Sequence, residues 1–380
     1  MELVAICVIL IAVALLEILL YTRYAFKGIS YTAFVNKNEV YEGDIIELTE
    51  VIENHRLVSL PWIKTELSAS RWLTFSKKDS VVQTSGSEST FIPGVFSLKP
   101  KNRCTRVRRI KCIKRGVFSF EDTIITATDI LGLIKTSINI PVKIQITVLP
   151  TASDGKDAIL SFDEPMGEIS IRRFINEDPF VVSGSKEYTG REPLNRINWN
   201  YTASQNRLIV CNNECTTSRT ALVIMNMQRK DIKPVICAHI RDTEAFIKMS
   251  VKIMEDCVKN SCNCAFATNG GTSIGTASDL ILTPDHFEGT LRLLAQLENS
   301  CSYDFKEFCE NINFGIFTDI FIITHYIDEF MLEKADKLRP LGINTIFYTT
   351  GEFPEDSVKY QFIPMTKFSY RWNIEEGDSI

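Results

Sequence analysis

Between Ile29 and Pro150, apolar and polar residues alternate with period two in short runs broken by turn residues. That is the pattern of strands with one buried face and one wet face. Glu39–Val51 carries a Glu-Gly-Asp turn between two β-rich runs, a hairpin-like signal. Further strands are predicted at Trp62–Leu67, Val107–Ile113, Ile124–Thr128 and Lys143–Leu149. With no convincing helix between them, these runs predict a β-sandwich of about 120 residues. Thr151–Ser185 reads as an irregular connector containing Asp163-Glu164-Pro165 and Asp178-Pro179.

Beyond the connector the period changes. Thr220–Met225 is a near-continuous apolar run, as expected of a strand buried on both faces. Asp242–Asn260 places Phe246, Met249, Ile253 and Cys257 at helical spacing, and Cys264–Thr268 reads again as a strand. Asp285 and Glu288 make a capping-box-like start for a helix with Phe287, Leu291 and Leu294 on one face. Asp319–Thr324, a helix near Glu329–Leu338, and Asn344–Tyr348 continue the alternation. Strand and helix alternating over about 150 residues predict an α/β layer fold with a mainly parallel sheet.

The first residues read differently from all of this. Leu3–Tyr21 is apolar with Glu17 as its only charge. About 20 such residues span the roughly 30 Å hydrocarbon core of a bilayer. A signal peptide would need a basic segment before the run and a small-residue cleavage site after it. Here Glu2 precedes the run and Tyr21-Thr22-Arg23-Tyr24 follows it, so a retained transmembrane anchor through residues 3–21 is the expectation. Arg23 and Lys27 follow the run and no basic residue precedes it, which predicts a single-pass cell-membrane protein with its body in the cytoplasm.

Composition adds exclusions more than identities. A formal net charge of −5 gives no global case for a nucleic-acid partner. The chain has 11 cysteines, several of them (Cys112, Cys237, Cys257) inside apolar runs, which suits small buried thiols in a reducing compartment. Lys99–Arg115 holds nine Lys or Arg residues. This run is either contact with anionic lipid or a solvated strand face; Val107, Ile110, Cys112 and Ile113 supply buried partners for the latter.

The densest chemistry lies in Lys186–Val210, where Tyr188, Glu192, Arg196, Ile197, Trp199, Thr202 and Arg207 share one Gly- and Pro-punctuated stretch. As a structural knot, Trp199 would bury its ring while Arg196 and Glu192 pair across a turn. As a partner site, Trp, Tyr and Arg are the types enriched at binding hot spots. Both readings stay open at this level.

Tyr188–Leu208 resembles the signature of the bacterial domain-of-unknown-function family fifty-eight, approximately Y-x-P-G-D-x-x-R-R-I-x-W-x-x-T-A-R-x-x-x-L. Tyr188, Arg196, Ile197, Trp199, Thr202, Ala203 and Leu208 fall in register, and Glu192 takes the acidic position. Gly190 and Arg191 replace the Pro-Gly pair, Asn195 replaces the first arginine, and Ser204 replaces the last. Lys114-Arg115-Gly116 and Asp129-Ile130-Leu131-Gly132-Leu133 look like the family's upstream turns. The resemblance implies a von Willebrand factor A-like domain after the motif and an association with MoxR-type AAA+ ATPases.

In its metal-binding form such a domain follows its first strand with Asp-x-Ser-x-Ser, whose oxygens hold Mg²⁺. Here that loop is Asn226-Met227-Gln228-Arg229-Lys230, without a carboxylate or hydroxyl, and His325 stands where an Asp often follows a later strand. No metal and no cofactor is therefore expected. The histidines (His55, His239, His286, His325) are scattered, and Cys262-x-Cys264 is too tight for a zinc knuckle. No phosphate loop is present, and no catalytic residue is assigned.

The resulting expectation is an α+β multidomain chain. It comprises a transmembrane anchor over 1–28, a β-sandwich over 29–150, a motif-bearing connector over 151–214, and a von Willebrand factor A-like α/β domain over 215–380. Its expected role is a membrane-anchored, non-catalytic scaffold or adaptor for a AAA+ ATPase and other envelope-associated proteins. The alternatives are a divalent-metal-dependent ligand-binding domain or an enzyme of unknown type.

Overall fold

The computed structural model describes residues 25–372 apart from 58, 76–81, 84–88, 121, 129–133, 153–157, 163–175, 189–196, 198, 200–201, 204–206, 217–219, 231–239, 260–261, 273–274, 277–286, 302, 355–359 and 361. The first part of the chain forms β1 (Ile29–Val35), β2 (Glu39–Tyr41), β3 (Ile45–Asn54), β4 (Leu60–Ser70), β5 (Leu73–Phe75), β6 (Val82–Gln83), β7 (Ser89–Leu98), β8 (Asn102–Cys112), β9 (Gly116–Phe120), β10 (Thr123–Thr128), β11 (Lys135–Ile140) and β12 (Ile144–Leu149). Short turns join successive strands, which favours antiparallel pairing. One antiparallel sheet has the order β1-β3-β8-β5 and a second the order β11-β10-β4-β7-β6. A smaller sheet, β2-β12-β9, closes one side and pairs β2 with β12 in parallel.

The inner faces of the two larger sheets pack into two apolar clusters, making a β-sandwich. Ile46, Leu48 and Ile52 from β3 and Ile110 from β8 are fully buried, as are Ile63, Ile92 and Ile125 of the second sheet or nearly so. The basic run of β8 is not simply a solvated face. Ile110 and Cys112 set the inward parity, so Arg108 points into the core and Val107 points out, 55 % exposed. Arg108 Nε donates to Glu50 Oε2 at 2.8 Å and its Nη2 to the Pro93 carbonyl at 3.1 Å. Tyr31 donates its hydroxyl to Glu50 Oε1 at 3.0 Å.

The rest of the chain adds β13 (Ala158–Phe162), β14 (Asn176–Glu187), β15 (Ile209–Thr216), β16 (Thr220–Met225), α1 (Ile240–Lys259), β17 (Asn263–Thr268), β18 (Gly270–Thr272), β19 (Gly275–Thr276), α2 (Phe287–Gln296), β20 (Leu297–Cys301), α3 (Phe305–Glu310), β21 (Asp319–Thr324), α4 (Glu329–Leu338), β22 (Asn344–Thr349) and β23 (Met365–Trp372). A six-stranded sheet of order β13-β23-β22-β21-β16-β17 carries helices on both faces. On β16, Ala221, Val223 and Met225 pack with Phe246, Met249 and Ile253 of α1 and Leu291 and Leu294 of α2. Leu222 and Ile224 pack on the other side with Phe305 and Phe308 of α3 and Met331 and Leu332 of α4. That double burial is why the strand reads as an unbroken apolar run. β18, β19 and β20 form a small antiparallel sheet, and β14 pairs with β15 in a two-stranded ribbon.

The fold class expected from the sequence is corrected. Strands dominate the described chain and most of its sheets are antiparallel. Parallel pairing is concentrated in the six-stranded sheet, whose edge strand β13 is itself antiparallel to β23. A von Willebrand factor A-like arrangement is thus only partly seen. The strand–helix alternation that suggested it covers one stretch of chain, while elsewhere short connections admit only antiparallel neighbours. Nor is the connector irregular throughout, since β13 and β14 form within it.

The expected transmembrane helix and cell-membrane location are also corrected. Among the described residues, no helix is long and apolar enough to cross a membrane. The longest, α1, is amphipathic and carries Asp242, Glu244, Lys248, Lys252, Glu255, Asp256 and Lys259. Residues 3–21, on which the anchor rested, lie outside the described residues.

One close backbone approach at the carboxyl end of the parallel strands is testable. A Cβ on Gly351 would stand 2.0 Å from the His325 carbonyl oxygen, a backbone atom that cannot swing aside. Gly351→Ala is expected to cost about 3 kcal/mol, at the upper end of overpacking penalties. Urea unfolding checks it; a midpoint equal to the parent's would contradict this packing.

Candidate functional site

The motif stretch is the connection of the β14–β15 ribbon. Lys186 pairs with Val210 and Glu187 with Ile209, and Tyr188 N–H donates to the Leu208 carbonyl at 2.8 Å. Thr202 Oγ1 accepts the Ile209 N–H at 3.1 Å, tying the tip to the ladder. Arg207 faces Glu187 at 4.0 Å with both side chains well exposed, an ion pair that contributes little to stability. Ile197 is buried, whereas Trp199 is 66 % exposed. Trp199 therefore does not bury its ring as the structural-knot reading requires. Glu192 and Arg196 lie outside the described residues. Among the described elements, the two strands pack chiefly on each other.

The second location is the crevice where the parallel strand order reverses, at the carboxyl ends of β16 and β21. In open α/β sheets this is the default position for a ligand. Asn226 and Asn269 follow β16 and β17, and both are fully buried. Asn226 Nδ2 donates to Thr324 Oγ1 at 3.1 Å, and its Oδ1 accepts from Asn269 Nδ2 at 3.1 Å and from Gln228 N–H at 3.0 Å. Asn269 Oδ1 accepts the Met227 N–H at 2.8 Å. Side-chain amides thus bond one another and the turn backbone in a neutral network.

A pocket of about 280 Å³ adjoins it, lined by Gln228, Lys230, Asp304, Tyr326, Asp328 and Phe330 among others. Its two carboxylates are already engaged in capping helices. Asp304 accepts from Lys306 N–H at 2.9 Å and Asp328 from Met331 N–H at 2.9 Å. Burial pushes the Tyr326 hydroxyl up to about 12. Among the described residues, no group of three or more His, Cys, Asp or Glu side chains could hold a metal ion. The crevice thus combines side-chain amides, hydroxyls and Lys230 with two carboxylates held at helix N-termini.

The third feature, missed by sequence reasoning, is an ionic seam between the sandwich and the α/β sheet. Arg115, in the turn between β8 and β9, reaches across to α1 and the end of α2. Its Nε and Nη2 donate to the two oxygens of Glu244 at 3.1 and 3.2 Å, a bidentate fork. Its Nη1 donates to the carbonyls of Leu294 at 2.6 Å and Leu297 at 3.0 Å, satisfying groups that a helix end leaves open. One turn along α1, Lys248 pairs with Glu42 and donates to the Thr151 carbonyl at 2.9 Å. Burial raises the Glu42 carboxyl above its ordinary value, with the Lys248 ammonium opposing. At the exposed rim Arg292 forks onto Glu39 at 2.8 and 3.0 Å, which lowers the Glu39 carboxyl. A cleft of about 370 Å³ opens beside Arg115 and Glu244. The only sequence signal for this seam was the Lys114-Arg115-Gly116 turn.

No family model and no curated protein matches the chain. Several solved structures are similar over about a third of it. A CARDB domain from Pyrococcus furiosus shares 12 % identity at TM-score 0.22, covering 32 % of this chain and 96 % of that one. A non-cellulosomal cohesin from Archaeoglobus fulgidus shares 15 % identity at TM-score 0.20, covering 32 % and 91 %. The ASH / PapD-like domain of human CEP192 shares 13 % identity at TM-score 0.18, covering 31 % and 83 %. Likenesses this weak carry no argument about activity. The β-sandwich stands on the strand pairing itself.

Proposed function

We propose that this protein is a non-catalytic scaffold or adaptor that docks a protein partner through the tip of the β14–β15 ribbon. The observation that carries this reading is Trp199, two-thirds exposed at the end of a ribbon that, among the described residues, packs chiefly on itself. An isolated two-stranded ribbon is marginal in water, so a chain that keeps one gains most when something covers it. Trp and Arg are the residues that dominate binding energy when an interface desolvates them, and Trp199 and Arg207 are both exposed here. Ile197 is buried and Thr202 bonds the Ile209 N–H, while Trp199 is presented to solvent.

The resemblance at Tyr188–Leu208 supplies the partner class, a MoxR-type AAA+ ATPase. Trp199→Ala is expected to leave the thermal midpoint unchanged and weaken binding to a purified MoxR-type ATPase from the same genome about 30-fold, the loss of a hot-spot side chain worth about 2 kcal/mol. Biolayer interferometry with and without nucleotide reads both. No binding by the parent chain would remove the ATPase from the proposal. Equal binding by parent and variant would remove the ribbon tip.

A further inference from the structure

Three cysteines converge where α1 ends and β17 begins. The Cys262 N–H donates to the Cys257 carbonyl at 2.8 Å, a bond spanning five residues past the last turn of α1. In helix ends closed by such a bond, the side chains at its two ends characteristically touch. Cys257 and Cys262 accordingly lie in one buried cluster, with Cys264 packed against it. Cys262, Cys264 and Phe266 face the same side of β17, toward α1, because strand side chains alternate. None of the three is in a disulfide. Cys257 and Cys262 are 0 % and 5 % exposed, while Cys264 is half-buried and is the one that solvent reaches.

We propose that these residues form a thiol–disulfide site, in which a hydroperoxide oxidises Cys264 and Cys257 then closes a disulfide with it. In the first step the Cys264 sulfur attacks one peroxide oxygen and the O–O bond breaks. Cys264 becomes a sulfenic acid, and the other oxygen leaves as water or an alcohol. In the second step the Cys257 sulfur attacks the Cys264 sulfur. The S–O bond breaks, the S–S bond forms, and the hydroxyl departs as water with the Cys257 proton. Two thiols are oxidised by two electrons and one peroxide is reduced by two.

The Cys262 and Cys264 thiols donate to the Asn263 and Ala265 carbonyls at 3.5 and 3.7 Å, and both act on the neighbouring Cys257 thiol. Cys262 lowers its pKa, but Cys264 and burial raise it further, so Cys257 stays protonated. Burial thus keeps Cys257 from meeting peroxide first, and its attack on Cys264 requires its proton to pass to the departing hydroxyl. Cys262 is a positioning residue, whose backbone N–H holds the Cys257 carbonyl. The disulfide would tie the last turn of α1 to the first strand residues beside it. The same helix carries Glu244 and Lys248 into the seam with the sandwich.

The test uses the full chain, one equivalent of hydrogen peroxide at near-neutral pH, and alkylation of the remaining thiols. Intact mass should show two fewer alkyl groups. Tryptic mapping should join the peptides carrying Cys257 and Cys264, which cleavage after Lys259 separates. Dithiothreitol should reverse both results, and oxidation should raise the thermal midpoint by about 5 °C. Cys264→Ser should lose the rapid reaction and Cys262→Ser should keep it. Oxidation at Cys104 or Cys301 instead, a sulfinic acid on Cys264 without a crosslink, or a crosslink between two chains would overturn the proposal. So would loss of the disulfide in a folded Cys262→Ser variant. If Cys264→Ser does not fold, fragment-ion sequencing of the crosslinked 260–292 peptide, which carries both Cys262 and Cys264, decides: a bond to Cys264 supports the proposal and a bond to Cys262 overturns it.

Discussion

Arg115→Ala is expected to lower the stability of the chain by about 3–5 kcal/mol, the cost of stranding one member of a buried ion pair. Arg115 is 6 % exposed and Glu244 3 %. Removing the guanidinium leaves the Glu244 carboxylate with Lys114 at 3.6 Å, a longer and non-forked contact. It also strips the donor from the Leu294 and Leu297 carbonyls at the end of α2. Arg115→Lys keeps the charge but not the planar fork, so it should restore less than half of the loss. Urea unfolding followed by tryptophan fluorescence and circular dichroism reads the effect. The variant's transitions by the two probes should separate, as sandwich and α/β sheet no longer unfold together. An unchanged, coincident transition would mean that the seam does not couple them.

Glu50→Ala should be comparably severe, at about 3–5 kcal/mol, for a reason internal to the sandwich. The Arg108 and Glu50 side chains are each 1 % exposed. Without the carboxylate, Arg108 keeps the Pro93 carbonyl but loses the Glu50 pair, and Tyr31 loses its acceptor. Burial, together with the Glu50 charge, holds the Tyr31 hydroxyl above its ordinary range, so it serves as a donor and not as a replacement anion. Replacing Glu50 and Arg108 together with Leu and Met should recover most of the loss, since an apolar pair of similar volume often does as well as a buried ion pair. A double variant no more stable than Glu50→Ala alone would show that the cost comes from packing and not from loss of the Glu50–Arg108 pair.

These two arginines show how far the sequence could be read. Both fall in the run Lys99–Arg115, and the alternation of β8 was visible in it. Its phase was not. Val107 reads as a buried partner, yet the inward positions are those of Ile110 and Cys112, so parity brings Arg108 inside and puts Val107 out. A one-residue slip exchanges the two faces of a strand, and a run of alternating basic and apolar residues does not say which face wins. The strand Asn176–Glu187 was missed because Asp178-Pro179 reads as a breaker, although a two-stranded ribbon has an open edge where proline costs little.

At the candidate sites the division is sharper. The motif residues from Tyr188 to Arg207 could be named from sequence, but whether Trp199 was core or surface could not, because exposure is set by what the rest of the chain fails to cover. The absence of carboxylates in Asn226–Lys230 was legible, whereas the partnership of Asn226 with Thr324 and Asn269 was not. Those residues lie at the carboxyl ends of three strands that meet only through the sheet order.

By itself, the sequence determined where strands and helices could form, because hydrophobic period is a local property that each segment carries alone. It also determined which chemical groups were present in each loop. Only the tertiary structure decided which sheets are antiparallel, which face of β8 is inside, that Arg115 crosses to a glutamate 129 residues away, and that Trp199 stands in solvent. Each of those depends on contacts between segments far apart in the chain. Burial and counter-charges that settle such contacts come from the partner surface, which the residues themselves do not encode locally.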